Sequence, residues 1–269
     1  MENVKRKSKI PLIILVNDDG IKSPGLRAMA RALDELGELL IVAPRDQQTS
    51  TGRSFRGGGI AKPVHYEIAG KHVRAFAVAA TPAIAARYAV LIHADRQPAL
   101  VVSGINYGEN IGNGVTISGT IGATLEATSM GLPALAVSQA VDVALHFSHS
   151  ELVEFSIAAE WGKRFAQKIL TKGMPRGADI VNVNVPEGAT TKTPWRWTRT
   201  SRINYYRSTI KQTRRGASIT GYERVLDKPA PEPDSDVRAV MIDHMVAVSL
   251  LTLDLSAHVS AKEKARWGK

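Results

Sequence analysis

The 269-residue chain contains no cysteine. Disulfides and thiolate metal sites are therefore excluded, and a reducing, cytoplasmic location is expected. There is no uninterrupted apolar run of about 18 residues, the length a membrane helix needs, so no membrane span is expected. The opening MENVKRKSKIPLIILV has the basic-then-apolar order of a leader. Its apolar run is short, however, passes straight into NDDG and has no small-residue cleavage site, so it reads as a first strand. Common catalytic fingerprints are also missing. Without G-x-G-x-x-G, G-x-x-x-x-G-K-[ST] or G-x-S-x-G, the usual dinucleotide, P-loop and nucleophile-elbow readings fall away. The seven histidines are scattered, with only His146 and His149 close together and no H-E-x-x-H, and are assigned structural or surface roles. Internal repeats and long low-complexity segments are lacking too.

Acids are the minority, 25 against 35 Lys and Arg, for a formal charge of +10. Such a field attracts anions, phosphate esters or nucleic acid among them, although a merely soluble basic surface accounts for the charge equally well. Hydrophobic residues make up 44% and charged residues 22%, enough for one sizeable core.

Leu12 to Val16 is a continuous apolar run, the pattern of a strand buried on both faces of a parallel sheet. Ser23 then suits an N-cap and Pro24 the first helical position. Leu26, Met29, Leu33 and Leu36 recur at helical spacing before Gly37. A strand at Leu39 to Ala43 completes a βαβ unit with its right-handed crossover. Further strands are expected at Val73 to Val78, Ala99 to Val102, Ala134 to Val137, Ile180 to Val185 and Met245 to Leu253. Helices are expected at roughly 81–93, 119–130 and 150–170, the last opened by a Ser148/Glu151 capping box and carrying a core row of Val153, Ile157, Trp161, Phe165 and Ile169. The alternation is that of an α/β protein. Residues 1–185 form the expected core and 186–269 a C-terminal subdomain or arm, ending in a frayed helix at AKEKARWGK.

In open α/β sheets ligands bind beyond the carboxyl ends of the strands. Three loops should share that rim: Asn17, Asp18 and Asp19 after the first strand, Arg45 to Arg53 after the second, and Ser103 to Thr120 after ALVV. Asn, Asp and Gly are turn residues, and taken alone NDDG is simply a turn. Two adjacent acids nevertheless repel, and a divalent cation supplies the opposing charge that keeps both ionised; hard Mg²⁺ or Mn²⁺ prefers such oxygen ligands. The second loop carries the hydroxyls of Thr49, Ser50, Thr51 and Ser54, each of which can reach an oxyanion or a metal; otherwise it reads as a polar surface loop. In the third, Ser118, Gly119 and Thr120 open a helix, either as an ordinary Ser N-cap or as an anion site of exposed N–H groups.

With ILVNDDGIKSPGL, IVAPRDQQTSTGRS, VVSGINYGENIG, ISGTIGATLEA and GLPALAVS in this order, and weaker echoes in VNVNVP and WRWTRTSR, the sequence resembles the SurE survival-protein family of metal-dependent 5'-nucleotidases and acid phosphatases. The resemblance spans most of residues 12–200. It implies a Rossmann-like three-layer αβα fold with a mainly parallel sheet and a C-terminal β-hairpin arm. It also implies one Mn²⁺ or Mg²⁺ ion on Asp18, Asp19, Thr49 and Asn106, and a phosphate pocket at Ser118, Gly119 and Thr120. Thr49 stands where the family usually has Ser, and Ser50 is its rival. Ala80 and Ile84 in ATPAIAARY also depart from the family's helix start. Family members assemble as dimers or tetramers through an exchanged hairpin, expected here within residues 200–240.

The resulting expectation is hydrolysis of nucleoside monophosphates, with Asp18 and Asp19 as the catalytic carboxylates. Two alternatives stay open. A divergent paralogue would act on another phosphorylated small molecule. A nucleic-acid-binding protein would use the basic, aromatic WRWTRTSRINYYRSTIKQTRR for phosphate contact and base stacking.

Overall fold

Leu12–Val16 forms strand β1, and its side chains divide between two buried faces. Ile13 and Leu15 join one apolar cluster, and Leu12, Ile14 and Val16 join the other. That division is what period-two alternation produces when both faces of a strand are covered. A computed structural model describes residues 10–148, 150–226, 230–257 and 259–268. The basic N-terminal stretch, His149, His258 and residues 227–229 of the Pro-rich break lie outside them.

Helix α1 (Pro24–Leu33) starts as expected, the Ser23 hydroxyl accepting from Leu26 N. It buries Leu26, Met29 and Leu33 completely, a face contributing about 1.5–3 kcal/mol per side chain. Strand β2 (Glu38–Pro44) follows. An edge strand, β3 (Gly57–Pro63), and a small hairpin of β4 (Glu67–Ile68) and β5 (Lys71–His72) precede β6 (Arg74–Ala80). Helix α2 (Pro82–Tyr88), with a π-turn over Ala89–His93, leads to β7 (Leu100–Tyr107); then come α3 (Gly119–Ser129), β8 (Ala134–Gln139), α4 (Ser156–Lys172) and β9 (Ile180–Val185). The remaining elements are β10 (Trp195–Thr198), the hairpin β11 (Tyr206–Thr213) and β12 (Gly216–Arg224), α5 (Asp236–Met241), β13 (Val246–Leu251) and α6 (Ala261–Trp267).

The main sheet runs β10-β13-β9-β8-β7-β1-β2-β6-β3. Strands β9 to β6 in this order are mutually parallel, while β13 lies antiparallel to β9 and β3 antiparallel to β6. Helices α1 and α4 cover one face and α2 and α3 the other, the three-layer α/β arrangement. Among the described residues no helix is long and apolar enough to cross a membrane. The segment after 186 contributes β10 and β13 to this same sheet, and the β11–β12 hairpin forms a separate two-stranded sheet.

Two expectations are corrected. Helix α4 begins at Ser156 rather than 150, and no Ser148/Glu151 capping box forms. The Ser148 hydroxyl instead donates to Leu145 O and accepts from Ser150 N, closing local turns. Val153 therefore lies outside the helix, while Trp161, Phe165 and Ile169 form the buried row. The third rim segment also starts later. Ser103 to Tyr107 extends β7, because β8 goes on pairing with it past an irregularity between Gly104 and Asn106.

Candidate active site

The chain reverses its winding direction between β1 and β7, and the crevice beyond that point holds the candidate residues. Asn17 closes the turn after β1: its Nδ2 donates to Gly20 O and its Oδ1 accepts from Gly20 N. The turn leaves Asp18 and Asp19 buried at 3% and 1% exposure. Backbone bonds lock the three rim segments together. Gln48 N donates to Asp18 O at 2.7 Å, and Gly52 N donates to Ile117 O at 2.9 Å. Loop and helix approach so closely that a Cβ on Gly122 would sit 2.0 Å from Gly52 O.

Each carboxylate has its own neutral donors. Asp18 Oδ1 accepts from the Thr120 hydroxyl at 2.7 Å. Asp19 Oδ1 accepts from Gln47 Nε2 at 2.9 Å, and its Oδ2 from Tyr107 N at 3.2 Å. Among the described residues neither forms an ion pair. Burial raises Asp18 to about 6 against the opposing Thr120 bonds. Asp19 is raised well above the ordinary carboxylate range, by burial and then by the Asp18 charge. The pair is thus two buried acids, without a cationic partner among the described residues, whose ionised forms burial and mutual repulsion disfavour.

Asp18 opens onto a cavity of about 470 Å³ lined also by Thr49, Ser50, Asn106 and Ser118. Asn106, at the end of β7, donates its Nδ2 to Gly108 O at 2.7 Å, and its Oδ1 accepts no hydrogen bond among the described residues. Thr49 is half-buried and Ser50 exposed, with a positive φ of 60° at Ser50. Thr51, by contrast, spends its hydroxyl on Gln48 O. Ser118 caps α3 through Ile121 N, Gly119 packs against the Asp18 side chain, and the Thr120 hydroxyl is engaged with Asp18 rather than directed to the cavity. Of the seven residues read from the sequence, Asp18, Thr49, Asn106 and Ser118 line the cavity, while Gly119 and Thr120 lie against Asp18 and Asp19 is its neighbour in the turn. Among the described residues there is no group of three or more His, Cys, Asp or Glu side chains arranged for a metal. The donor set is instead two carboxylates with amide and hydroxyl oxygens, which fits a hard cation that also takes ligand oxygens and water.

The far wall of the cavity escaped the sequence reading. It is built from His146, Phe147 and the β11–β12 hairpin residues Tyr206, Ile219 and Tyr222. The hairpin is anchored by Glu109, whose buried carboxylate accepts from Tyr205 and Tyr206 hydroxyls, both at 2.7 Å, and from Arg224 Nε and Nη2 at 2.8 and 2.7 Å. Burial and the Glu109 charge raise both phenols. Gln47, Glu109 and Arg224 carry no local motif, since their partners lie tens of residues away. Part of the basic, aromatic segment is engaged within the molecule, although Trp197, Arg202 and residues 210–215 stay exposed. Trp195 meets Phe165 edge-on, Tyr205 is buried, and Arg196, Arg199 and Arg207 pair with Asp243, Asp234 and Glu223.

Residues 13–207 match the family model described as Survival protein SurE. A protein named 5'-nucleotidase SurE from Methanocella arvoryzae is 40% identical over 255 residues, covering 91% of this chain and 93% of its own. Another of that name, from Thermococcus kodakarensis, is 35% identical, with 93% and 96% covered. The crystal structure of SurE protein from Aquifex aeolicus superposes with a TM-score of 0.74 at 28% identity, covering 96% of this chain and 100% of that one. Shared sequence across nearly the whole length, on the same α/β scaffold, places this chain in the SurE survival-protein family.

Proposed function

We propose that the chain is a metal-dependent phosphomonoesterase, a 5'-nucleotidase acting on nucleoside monophosphates. In this reading one divalent cation, Mn²⁺ or Mg²⁺, is held by Asp18, Asp19, Asn106 and Thr49, with Ser50 as the rival hydroxyl. The observation that carries it is the buried carboxylate pair, which no basic side chain among the described residues neutralises and which opens through Asp18 onto a cavity lined also by Thr49, Ser50, Asn106 and Ser118. The activity printed in the names of the relatives supports the same reading.

A bound cation would supply the charge that polarises a phosphoryl oxygen. The chain's own part is positioning. Thr120 and Gln47 fix the two carboxylates, and Asp18, which borders the cavity while Asp19 lies behind it, is the one that meets the phosphoryl group. Ser118 and the first N–H groups of α3 border the phosphoryl oxygens, where fixed dipoles stabilise developing charge. The same proposal treats 1–185 as the catalytic core and 186–269 as a C-terminal subdomain in a cytoplasmic homodimer or tetramer. Its support is a hairpin that leaves Ile210 and Ile219 exposed by 65% and 72%; light scattering measures the assembly.

The test is phosphate release by chelator-stripped protein from nucleoside 5'- and 3'-monophosphates and an aryl phosphate, with Mn²⁺ or Mg²⁺ added back. Turnover of the 5'-monophosphate restored by cation is expected, with a loss of about 100-fold or more in Asp19→Asn. No phosphate release from any of these substrates contradicts the proposal.

A further inference from the structure

Phe147, on the loop between β8 and α4, is 60% exposed, and its ring lines the cavity onto which Asp18 opens. The loop that carries it is tied down on two sides. Its neighbour His146 is buried, with Nδ1 2.8 Å from the Tyr222 hydroxyl of the hairpin, and Arg224 of the same hairpin donates to Val141 O. The His146 carbonyl accepts at 2.8 Å from Gln47 Nε2, the amide that also donates to Asp19 at 2.9 Å. Loop, hairpin and carboxylate pair are therefore fixed relative to one another, and the phenyl ring has a set place on the cavity wall.

Phe147 meets Tyr222 with ring centroids 6.4 Å apart and planes tilted by 57°. A flat group inserted between two rings needs them parallel and about 7 Å apart, twice the carbon contact distance. The two side chains thus make a corner rather than a slot, and a planar ligand lies on its open side. Ile219, 72% exposed, borders the same space. One cavity of about 470 Å³ therefore joins oxygen-bearing side chains, Asp18, Thr49 and Ser118, to an apolar, aromatic wall. Its size is that of a small-molecule site. A ligand that satisfies both parts carries a phosphate and a flat ring, and laying the ring on Phe147 removes apolar surface of both partners from water.

We propose that the exposed face of Phe147 stacks on the base of a nucleoside monophosphate, with Ile219 alongside, and that this contact makes the site prefer nucleotides to phosphorylated sugars. This rests on the phosphomonoesterase reading and adds the residue that holds the leaving group. The contact is the same before and during phosphoryl transfer, so it acts on KM and not on kcat. Stacking reads a π-face rather than a hydrogen-bond pattern, so purine and pyrimidine nucleotides are both accepted.

The experiment compares wild type, Phe147→Ala and Phe147→Tyr on adenosine 5'-monophosphate and ribose 5-phosphate, which differ only by the base, with Mn²⁺ present. Calorimetry measures the affinity for each, and light scattering the assembly. In Phe147→Ala the ratio of kcat/KM for the nucleotide to that for the sugar phosphate should fall about 5- to 100-fold, through the nucleotide KM, and the ratio of affinities should fall with it. Phe147→Tyr, which keeps the ring, should recover most of the loss. Phosphate release with an unchanged ratio in Phe147→Ala, with equal losses on both substrates, or with a loss that accompanies an altered assembly overturns the proposal and leaves the hydrolase reading intact. Nucleotide binding that weakens in Phe147→Ala, in a protein that releases no phosphate from either compound, upholds the stacking contact and removes the hydrolase reading instead.

Discussion

The Thr120 hydroxyl donates to Asp18 Oδ1 at 2.7 Å, joining the turn after β1 to the start of α3 across 102 positions of sequence. Thr120→Val keeps the shape and removes the donor, leaving a buried carboxylate short of one bond. A loss of about 1–3 kcal/mol in urea unfolding is expected, with Thr120→Ser close to wild type. Unchanged stability in the valine variant would show that the bond contributes little.

Metal-free protein should lose stability as pH rises from about 4 to 7. Burial places Asp18 at about 6 in the folded state, against an ordinary value of 3.8. The folded chain thus keeps a proton that the unfolded chain releases, and the stability this confers is complete below about pH 4 and lost as pH rises through 6. Asp236, raised to about 6 by burial, acts in the same direction. In chelator, Asp18→Asn should show a shallower loss than wild type, and added Mn²⁺ should reduce the wild-type loss at pH 7. Thermal melts across this range are the measurement, and a melting point that climbs with pH in chelator contradicts the expectation.

Glu109→Gln removes the charge that Arg224, Tyr205 and Tyr206 share. The half-buried Arg224 keeps its bond to Val141 O but loses its charged partner, which should cost about 1–3 kcal/mol. Because these contacts fasten the β11–β12 hairpin, trypsin should cut faster at Arg214 and Arg215 in its turn than in wild type. An intact hairpin under the same digestion would place the anchor elsewhere.

Gly122→Ala tests the contact between loop and helix. The new Cβ would fall 2.0 Å from Gly52 O and 2.4 Å from Gly52 C, both backbone atoms, so the loop carrying Thr49 and Ser50 must move. Destabilisation of about 1–3 kcal/mol is expected, together with weaker Mn²⁺ binding by titration. Wild-type values for both would mean that the loop yields without consequence.

Thr49 and Ser50 can be separated. Thr49→Ala should weaken Mn²⁺ binding, whereas Ser50→Gly should leave it unchanged and slightly stabilise the fold, since glycine adopts the φ of 60° found there at little cost. The opposite pattern in a Mn²⁺ titration assigns the ligand to Ser50.

Much of this arrangement was legible in the sequence. Strands β1 and β9 and the Ser23 cap follow from local pattern, because apolar alternation and capping chemistry act over a few residues. The three-loop rim follows from the rule that ligands gather at strand ends. Strand β3, GGGIAKP, was missed because its pairing with β6 runs through main-chain groups and its glycines resemble a loop. The start of α4 was misplaced because Val153 continues the helical spacing into what is a turn. The hairpin wall, Glu109 and His146 were invisible for a different reason. Their contacts join segments 76 to 115 residues apart, and no local spacing encodes them.

Strand order also bears on how the chain is made. Strand β13 is inserted between β9 and β10, so β10 has no neighbour in the main sheet until residues 246–251 arrive. On the ribosome, a nascent chain that stops short of that segment holds β9 as an open edge, the kind of surface on which other chains add. A frameshift late in the coding region would therefore produce an aggregating polypeptide even though every residue of the rim had been translated.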